Sequence, residues 1–290
     1  MRLQLQSLIC AYFLAIIGHS STRQFNASFH NSPHGQNNSS VNLSSPAVIS
    51  TIIGGVNSID RPFYIRIVNT GNYEFCGGSI VNSFWIITAA SCVYEYTEDY
   101  LLVETGDFTR GDDDTESYHV EKVFLADGFS MRELVNNLAL LKLSIPMPIR
   151  LFGQLPVCTK EKPHGTRLGS CGMGADEMMS DHGFNFPYRL QETYFTEVKF
   201  VSSGPFNLDW CREDNVCTEP VLEDSSSCFY DEGNPLYLFH CETRVPYCLY
   251  GVGSYTLHKR NRQRLRCNGG SFFTNVPHFY QWIVNIISHN

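Results

Sequence analysis

Eleven cysteines are the residues of this 290-residue chain most able to form bonds. Cys10 lies in an apolar N-terminal run, and ten follow it: Cys76, Cys92, Cys158, Cys171, Cys211, Cys217, Cys228, Cys241, Cys248 and Cys267. An even set in an exported chain reads as a disulfide framework. Zinc is the alternative use of thiolates, but Cys211 and Cys217 stand with five residues between them and no neighbouring CxxC or HxxxH pair. Two charge clusters offer other chemistry. Asp107, Asp112, Asp113, Asp114 and Glu116 supply oxygen ligands of the kind calcium takes, or else form a polar turn. Lys259, Arg260, Arg262, Arg264 and Arg266 crowd a predicted loop between Thr256 and Cys267. That loop could dock a glycosaminoglycan, an acidic protein or another polyanion, or remain a solvated surface.

The elements that would position these residues begin with an export signal. Arg2 precedes an apolar run from Leu8 to Ile17 and small residues around Ser20, so 1–20 reads as a cleaved signal peptide. Neither this run nor any later one is long enough to span a bilayer. Residues 21–51 are rich in Ser and Asn, show no helical or strand period, and hold the sequons at Asn26, Asn37, Asn38 and Asn42. They read as a flexible, glycosylated segment or a bare tail. From Ile52 onward, short apolar or β-branched runs alternate with turn residues: Phe63–Val68, Ser79–Val81, Trp85–Ala90, Leu138–Leu143 and Leu249–Val252. Only the end looks helical, with Phe279, Trp282, Ile283, Ile286 and Ile287 at spacings of three and four after Pro277. Many short strands closed by one helix point to an all-β barrel or sandwich. The net charge of −8 argues against nucleic acid as the main partner.

Ile52-Ile53-Gly54-Gly55, then Cys76-Gly77-Gly78-Ser79-Ile80, then Trp85-Ile86-Ile87-Thr88-Ala89-Ala90 resemble the chymotrypsin/trypsin family of serine proteases. Further matches at Leu138–Leu143, Gly172-Met173-Gly174, Asp231–Leu236 and the terminal helix extend the resemblance over 52–290. It implies two six-stranded antiparallel β-barrels with a cleft between them and a C-terminal α-helix. It also implies disulfides Cys76–Cys92, Cys171–Cys241, Cys211–Cys217 and Cys228–Cys267, which leave Cys158 and Cys248 to each other. Cys171 lies three residues beyond the usual family position.

The same resemblance locates the catalytic positions. Where the family has TAAHC, this chain has Thr88-Ala89-Ala90-Ser91-Cys92; where it has DIALL, Asn137-Leu138-Ala139-Leu140-Leu141. Where it has GDSGGP, the run is Tyr230-Asp231-Glu232-Gly233-Asn234-Pro235. Ser91, Asn137 and Glu232 therefore stand in place of the histidine, aspartate and serine that the triad mechanism needs. Neutral Ser91 is no base near pH 7, Asn137 cannot stabilise an imidazolium, and Glu232 has no evident partner as a general base. Tyr230 replaces a glycine that helps present an oxyanion-hole N–H, which puts that hole in doubt. Ser226 falls at the base of the substrate pocket where trypsin-like members carry an acid, and Thr256 and Ser271 replace wall glycines, so the pocket should narrow. Family members are cut after Arg or Lys before the Ile-Ile-Gly-Gly segment, and the new amine pairs with the aspartate matching Asp231. Here Thr51 precedes Ile52, so a trypsin-like activator has no handle and the chain is expected to stay uncut. Since Ile52 and Asp231 are both present, cleavage by an enzyme of other specificity is the alternative that would form the pair.

The expectation is a secreted, non-catalytic protease homologue that acts as a cofactor, decoy or adaptor in an immune, digestive or reproductive fluid. Its partners would be extracellular proteins, among them active serine proteases, their substrates or their inhibitors, with a polyanion at the basic loop. No cofactor is expected unless the acidic cluster holds calcium. Two rival readings are a residual or re-purposed endopeptidase and a structural or adhesive glycoprotein.

Overall fold

The computed structural model describes residues 55–290 apart from 59–60, 72–74, 107, 109–114, 163–165, 176, 180–182, 186, 188, 199–210, 222–224 and 262–263. The signal segment, the four sequons, Ile52, Arg262 and the four aspartates of the acidic cluster lie outside the described residues. The chain divides into two compact units. One joins Ser50–His240 to Val245–Asn290 and carries all the sheet structure below; of the other, Met1–Ile49 with Cys241–Arg244, only Cys241–Arg244 are described.

A short strand β1 (Val56–Asn57) precedes a closed antiparallel barrel. Its strands are β2 (Tyr64–Asn69), β3 (Phe75–Asn82), β4 (Trp85–Thr88), β5 (Leu101–Gly106), β6 (Thr115–Leu125) and β7 (Ala139–Leu143). They close in the order β2-β3-β4-β7-β6-β5. The inward set follows the period of two that a pleated strand imposes: Leu101, Val103 and Thr105 of β5 are buried while their neighbours are partly exposed. Ile65, Ile67, Ile80, Ile86, Leu101, Val103 and Leu141 fill the barrel. Each such side chain contributes about 1.5–3 kcal/mol by leaving water.

After one helical turn, α1 (Ile149–Phe152), the chain builds a second ring. Its strands are β8 (Arg167–Gly172), β9 (Glu177–Met179), β10 (Gly183–Asn185), β11 (Gln191–Glu197), β12 (Asn215–Pro220), β13 (Pro235–Phe239), β14 (Pro246–Asn261) and β15 (Arg264–Asn275). The pairings β11-β8-β13-β14-β15-β12 return to β11, so six strands close, with β1 and the β9–β10 hairpin attached outside the ring. Leu168, Phe195, Val216, Leu236, Leu238, Tyr250 and Phe273 form its core. Helix α2 (Tyr280–His289) ends the chain after a turn at Pro277–Phe279, with Ile283 buried. The expected two-barrel architecture and terminal helix are therefore present, and no helix among the described residues is long and apolar enough to cross a membrane.

Three disulfides close in the structure: Cys76–Cys92, Cys158–Cys248 and Cys211–Cys217. Cys228 is also disulfide-bonded, and its expected partner Cys267 has a side chain outside the described set. The expected Cys171–Cys241 bond is not made, because Cys171 is a buried free thiol while Cys241 is bonded elsewhere. The register explains why. Gly169 stands opposite Tyr237 and Ser170 opposite Leu236, so Cys171 is level with Pro235. β13 runs on to Phe239 before the chain leaves the strand, so the register brings no cysteine of β13 opposite Cys171. Leu168, at the usual family position three residues before Cys171, is a core residue of the second ring.

A buried ion pair ties the segment before β2 to the second ring. Arg61 donates to Glu192 at 2.7 Å, and the Tyr237 hydroxyl donates to the same carboxylate oxygen at 2.5 Å. Removing one partner of such a pair strands a buried charge at a cost of about 3–5 kcal/mol.

Candidate functional site

The loop between Tyr230 and Asn234 is set by two tight backbone approaches. Gly233 has φ +81°, and a Cβ there would lie 2.1 Å from the Gly77 carbonyl oxygen. Only glycine fits both the conformation and the space. The Gly77 N–H donates to the Glu232 carbonyl at 2.8 Å, and the Gly233 N–H to the Gly253 carbonyl at 2.8 Å. These bonds hold Glu232 between β3 of the first ring and β14 of the second.

Glu232 lines the cavities on this loop. Its half-buried carboxylate accepts the N–H of Tyr230 and its own N–H. Burial pushes its carboxyl above the usual range, and those two donors pull it part of the way back. Tyr230 reaches this geometry in the left-handed region, φ +66°, which costs a non-glycine residue about 1–2 kcal/mol. The Tyr230 N–H is one of the two backbone donors that act on the Glu232 carboxylate.

Asp231 points the other way, into the protein. Its carboxylate accepts the Cys228 N–H at 2.6 Å, the Asn234 side-chain amide at 2.6 Å and the Gly174 N–H at 3.1 Å. Burial outweighs these donors, and the neighbouring Glu232 adds to the effect, so its pKa rises to about 7.

Ser91 sits in the single 3-10 turn that follows β4, and Asn137 is fully buried just before β7. The Asn137 side chain joins the two rings: Oδ1 accepts the Ser91 N–H at 2.8 Å, and Nδ2 donates to Ser91 Oγ at 3.1 Å and to Ser254 Oγ at 2.9 Å. An amide carries no charge, and this one donates to both hydroxyls it touches and takes a proton from neither, so it activates neither. Ser91, Asn137 and Ser254 form a neutral hydrogen-bonded bridge beside Glu232. Among the described residues no cluster of three or more His, Cys, Asp or Glu could hold a metal. Glu116, from the acidic cluster, lies on β6, where its carboxylate accepts the Tyr118 hydroxyl at 2.7 Å.

Ser226, Thr256 and Ser271 come together as a hydroxyl cluster. Thr256 Oγ1 donates to Ser271 Oγ at 3.2 Å, and Ser226 Oγ lies 3.3 Å from the same atom. Ser226 and Ser271 are buried. The cavity there, lined also by Cys228, Gly253 and Phe272, has a volume of ≈ 10 Å³. That is about the space of one water, so no amino-acid side chain enters. Tyr255, beside it, stacks on Phe272 with ring centroids 4.4 Å apart. On the other side of Glu232, a wider cavity of ≈ 310 Å³ is lined by Ser91, Tyr96, Met131, Leu134, Tyr230 and Tyr255 among others. Apart from Cys76, Ser91, Cys92, Tyr230 and Glu232, its lining residues belong to no sequence motif, and only the tertiary structure brings them together.

The basic cluster is not a loop. Strands β14 and β15 extend as a hairpin, with His258 opposite Cys267, Lys259 opposite Arg266, Arg260 opposite Leu265 and Asn261 opposite Arg264. A run of charges without apolar alternation hides a period of two, and pairing with a partner strand supplies the conformation. On the outer side of β15, Arg266 stands opposite Glu177 and Leu265 opposite Met178 of β9.

Comparison with known proteins agrees with this geometry. The Trypsin family model matches residues 52–283. Azurocidin of Homo sapiens is 27% identical over 246 residues, covering 82% of this chain and 87% of azurocidin. Chymotrypsin-like elastase family member 1 of Canis lupus familiaris is 24% identical over 259 residues, covering 84% of this chain and 95% of the elastase. Among solved structures, human heparin binding protein matches with a TM-score of 0.65 at 23% identity, over 82% of this chain and 97% of that one. A scabies mite inactivated protease paralogue matches with a TM-score of 0.63 at 20% identity, over the same shares.

Proposed function

Because the chain belongs to the trypsin family, we propose that it is a non-catalytic member, secreted and acting outside the cell by binding. The observation that carries this reading is the Glu232 carboxylate, which takes the N–H groups of Tyr230 and of Glu232 itself. Acyl transfer needs such donors aimed at the oxygen that becomes negative. A substrate carbonyl arriving here would meet a carboxylate in place of donors. Support comes also from Asn137, whose amide is spent on Ser91 and Ser254, and from the ≈ 10 Å³ left at the substrate-side-chain position. Disulfides within both rings suit an oxidising, extracellular compartment. One structure of similar fold is titled as an inactivated protease paralogue, which is consistent with loss of catalysis on this scaffold.

The partners follow from the same reading: active serine proteases, their substrates or inhibitors, or other extracellular proteins. The hairpin that sets Lys259 opposite Arg266 adds a polyanion such as a glycosaminoglycan. Five lysines and arginines within eight positions concentrate positive charge on an otherwise acidic chain, and such a concentration attracts a polyanion. The likeness to a protein titled as heparin binding points the same way.

The test is to incubate the secreted protein with a fluorophosphonate probe and, in parallel, with a broad library of peptide substrates. Only a serine activated as a nucleophile labels. No label and no cleavage is the expected result; stoichiometric labelling or turnover would overturn the proposal.

A further inference from the structure

The ≈ 310 Å³ cavity beside Ser91 has a definite electrostatic character. Glu232 is the one carboxylate among its described lining residues, and no lysine, arginine or histidine joins it there. Three aromatic rings, those of Tyr96, Tyr230 and Tyr255, share the lining with the apolar side chains of Met131 and Leu134. A carboxylate held by backbone donors keeps its position when a ligand arrives, so little ordering cost is left for the binding step.

We propose that this cavity binds an organic cation on an apolar stem: a guanidinium or alkylammonium group, either free or as the Arg or Lys side chain of a partner. The cation makes a charge-assisted hydrogen bond to Glu232. Tyrosine faces attract it further through their quadrupoles, and the methylene stem covers Met131 and Leu134. The volume is at the lower end for ligand sites, which suits one side chain or small amine and excludes a folded peptide segment. An anionic or carbonyl group in the same place would face the carboxylate unpaired. The inference stands on the cavity and on Glu232, and holds whether or not the protein acts outside the cell.

Titration calorimetry on the full chain at pH 8 tests it. N-acetyl-arginine amide should bind one to one, and its neutral isostere N-acetyl-citrulline amide about tenfold more weakly or not at all. Glu232→Gln, which keeps the shape and an oxygen for the two backbone donors, should reduce the arginine probe to the citrulline level. Leu134→Trp, which fills the cavity without touching the charge, should abolish binding and covers the case in which the Glu232 variant misfolds. n-Butylguanidinium separates the two sources. Affinity equal to the amide's assigns the site to a free amine, and a clear preference for the amide assigns it to a partner's side chain. Equal binding of arginine and citrulline probes, no binding of either cation, or binding unchanged by Leu134→Trp would overturn the proposal.

Discussion

Ser91, Asn137 and Glu232, which the family resemblance sets at the three positions of a catalytic triad, are each engaged by their neighbours in other bonds. Asn137 donates to two serine hydroxyls and accepts a backbone N–H, while Glu232 accepts two backbone N–H groups. A single substitution therefore has little to act on. The triple variant Ser91→His, Asn137→Asp, Glu232→Ser should regain fluorophosphonate labelling, since it vacates the N–H donors and supplies a base. It should still turn over peptide substrates poorly if the Ser226–Thr256–Ser271 cluster is the substrate pocket that the resemblance implies, because the cavity there holds ≈ 10 Å³. Adding Thr256→Gly and Ser271→Gly should raise kcat/KM by roughly tenfold or more over the triple variant, as expected when a side chain is admitted to its pocket. Efficient peptide cleavage by the triple variant alone would show that the closed pocket is not the barrier.

Strands and the turns between them decide which carboxyls meet. Glu197, at the end of β11, and Glu161, in the segment before β8, share the hydroxyl of Tyr250 on β14, at 3.4 and 2.9 Å. Burial first, and then the charge of Glu161, raise the Glu197 pKa from 4.5 to about 7, with the Tyr250 bond opposing. The folded protein thus holds this proton up to about pH 7, whereas the unfolded chain releases it near pH 4.5. The folded state binds more protons in that window, so this contribution to stability is complete below pH 4.5 and is lost as pH rises through 7. Glu197→Gln removes it. The urea-unfolding free energy of wild type relative to the variant should fall by on the order of 1–3 kcal/mol between pH 4.5 and pH 8. Asp231, raised in the same direction, is present in both proteins and cancels. A difference between the two proteins that does not change with pH would refute the assignment.

At the scale of the whole molecule, an acidic chain of net charge −8 carries its cations unevenly, with five of its 21 lysines and arginines between positions 259 and 266. Binding of heparin through the β14–β15 hairpin should weaken steeply with added salt, because the attraction is long-range and screened. Replacing Lys259, Arg260, Arg264 and Arg266 by Ala should remove most of it, while far-ultraviolet circular dichroism and thermal unfolding of the rings stay near wild type. Association unaffected by salt and by these changes would place any polyanion site elsewhere.

Sequence alone determined the all-β class, the strands β2, β3, β4, β7 and β14 and the terminal helix, since periods of two and of three to four residues are local consequences of backbone geometry. The order of short motifs along the chain singled out Ser91, Asn137 and Glu232 as the residues to weigh, without any knowledge of contacts. What those residues do was decided by the tertiary structure. A glutamate reads as a possible base until Gly77 and Gly233 let its loop close on itself, and a pair of cysteines reads as a bridge until the β8–β13 register separates them. The basic run shows no alternation of its own and becomes a hairpin only through strand pairing. The two cavities on either side of Glu232 are likewise invisible in one dimension. Volume, register and hydrogen-bond capacity depend on distances between residues remote in the chain, and no local pattern records them.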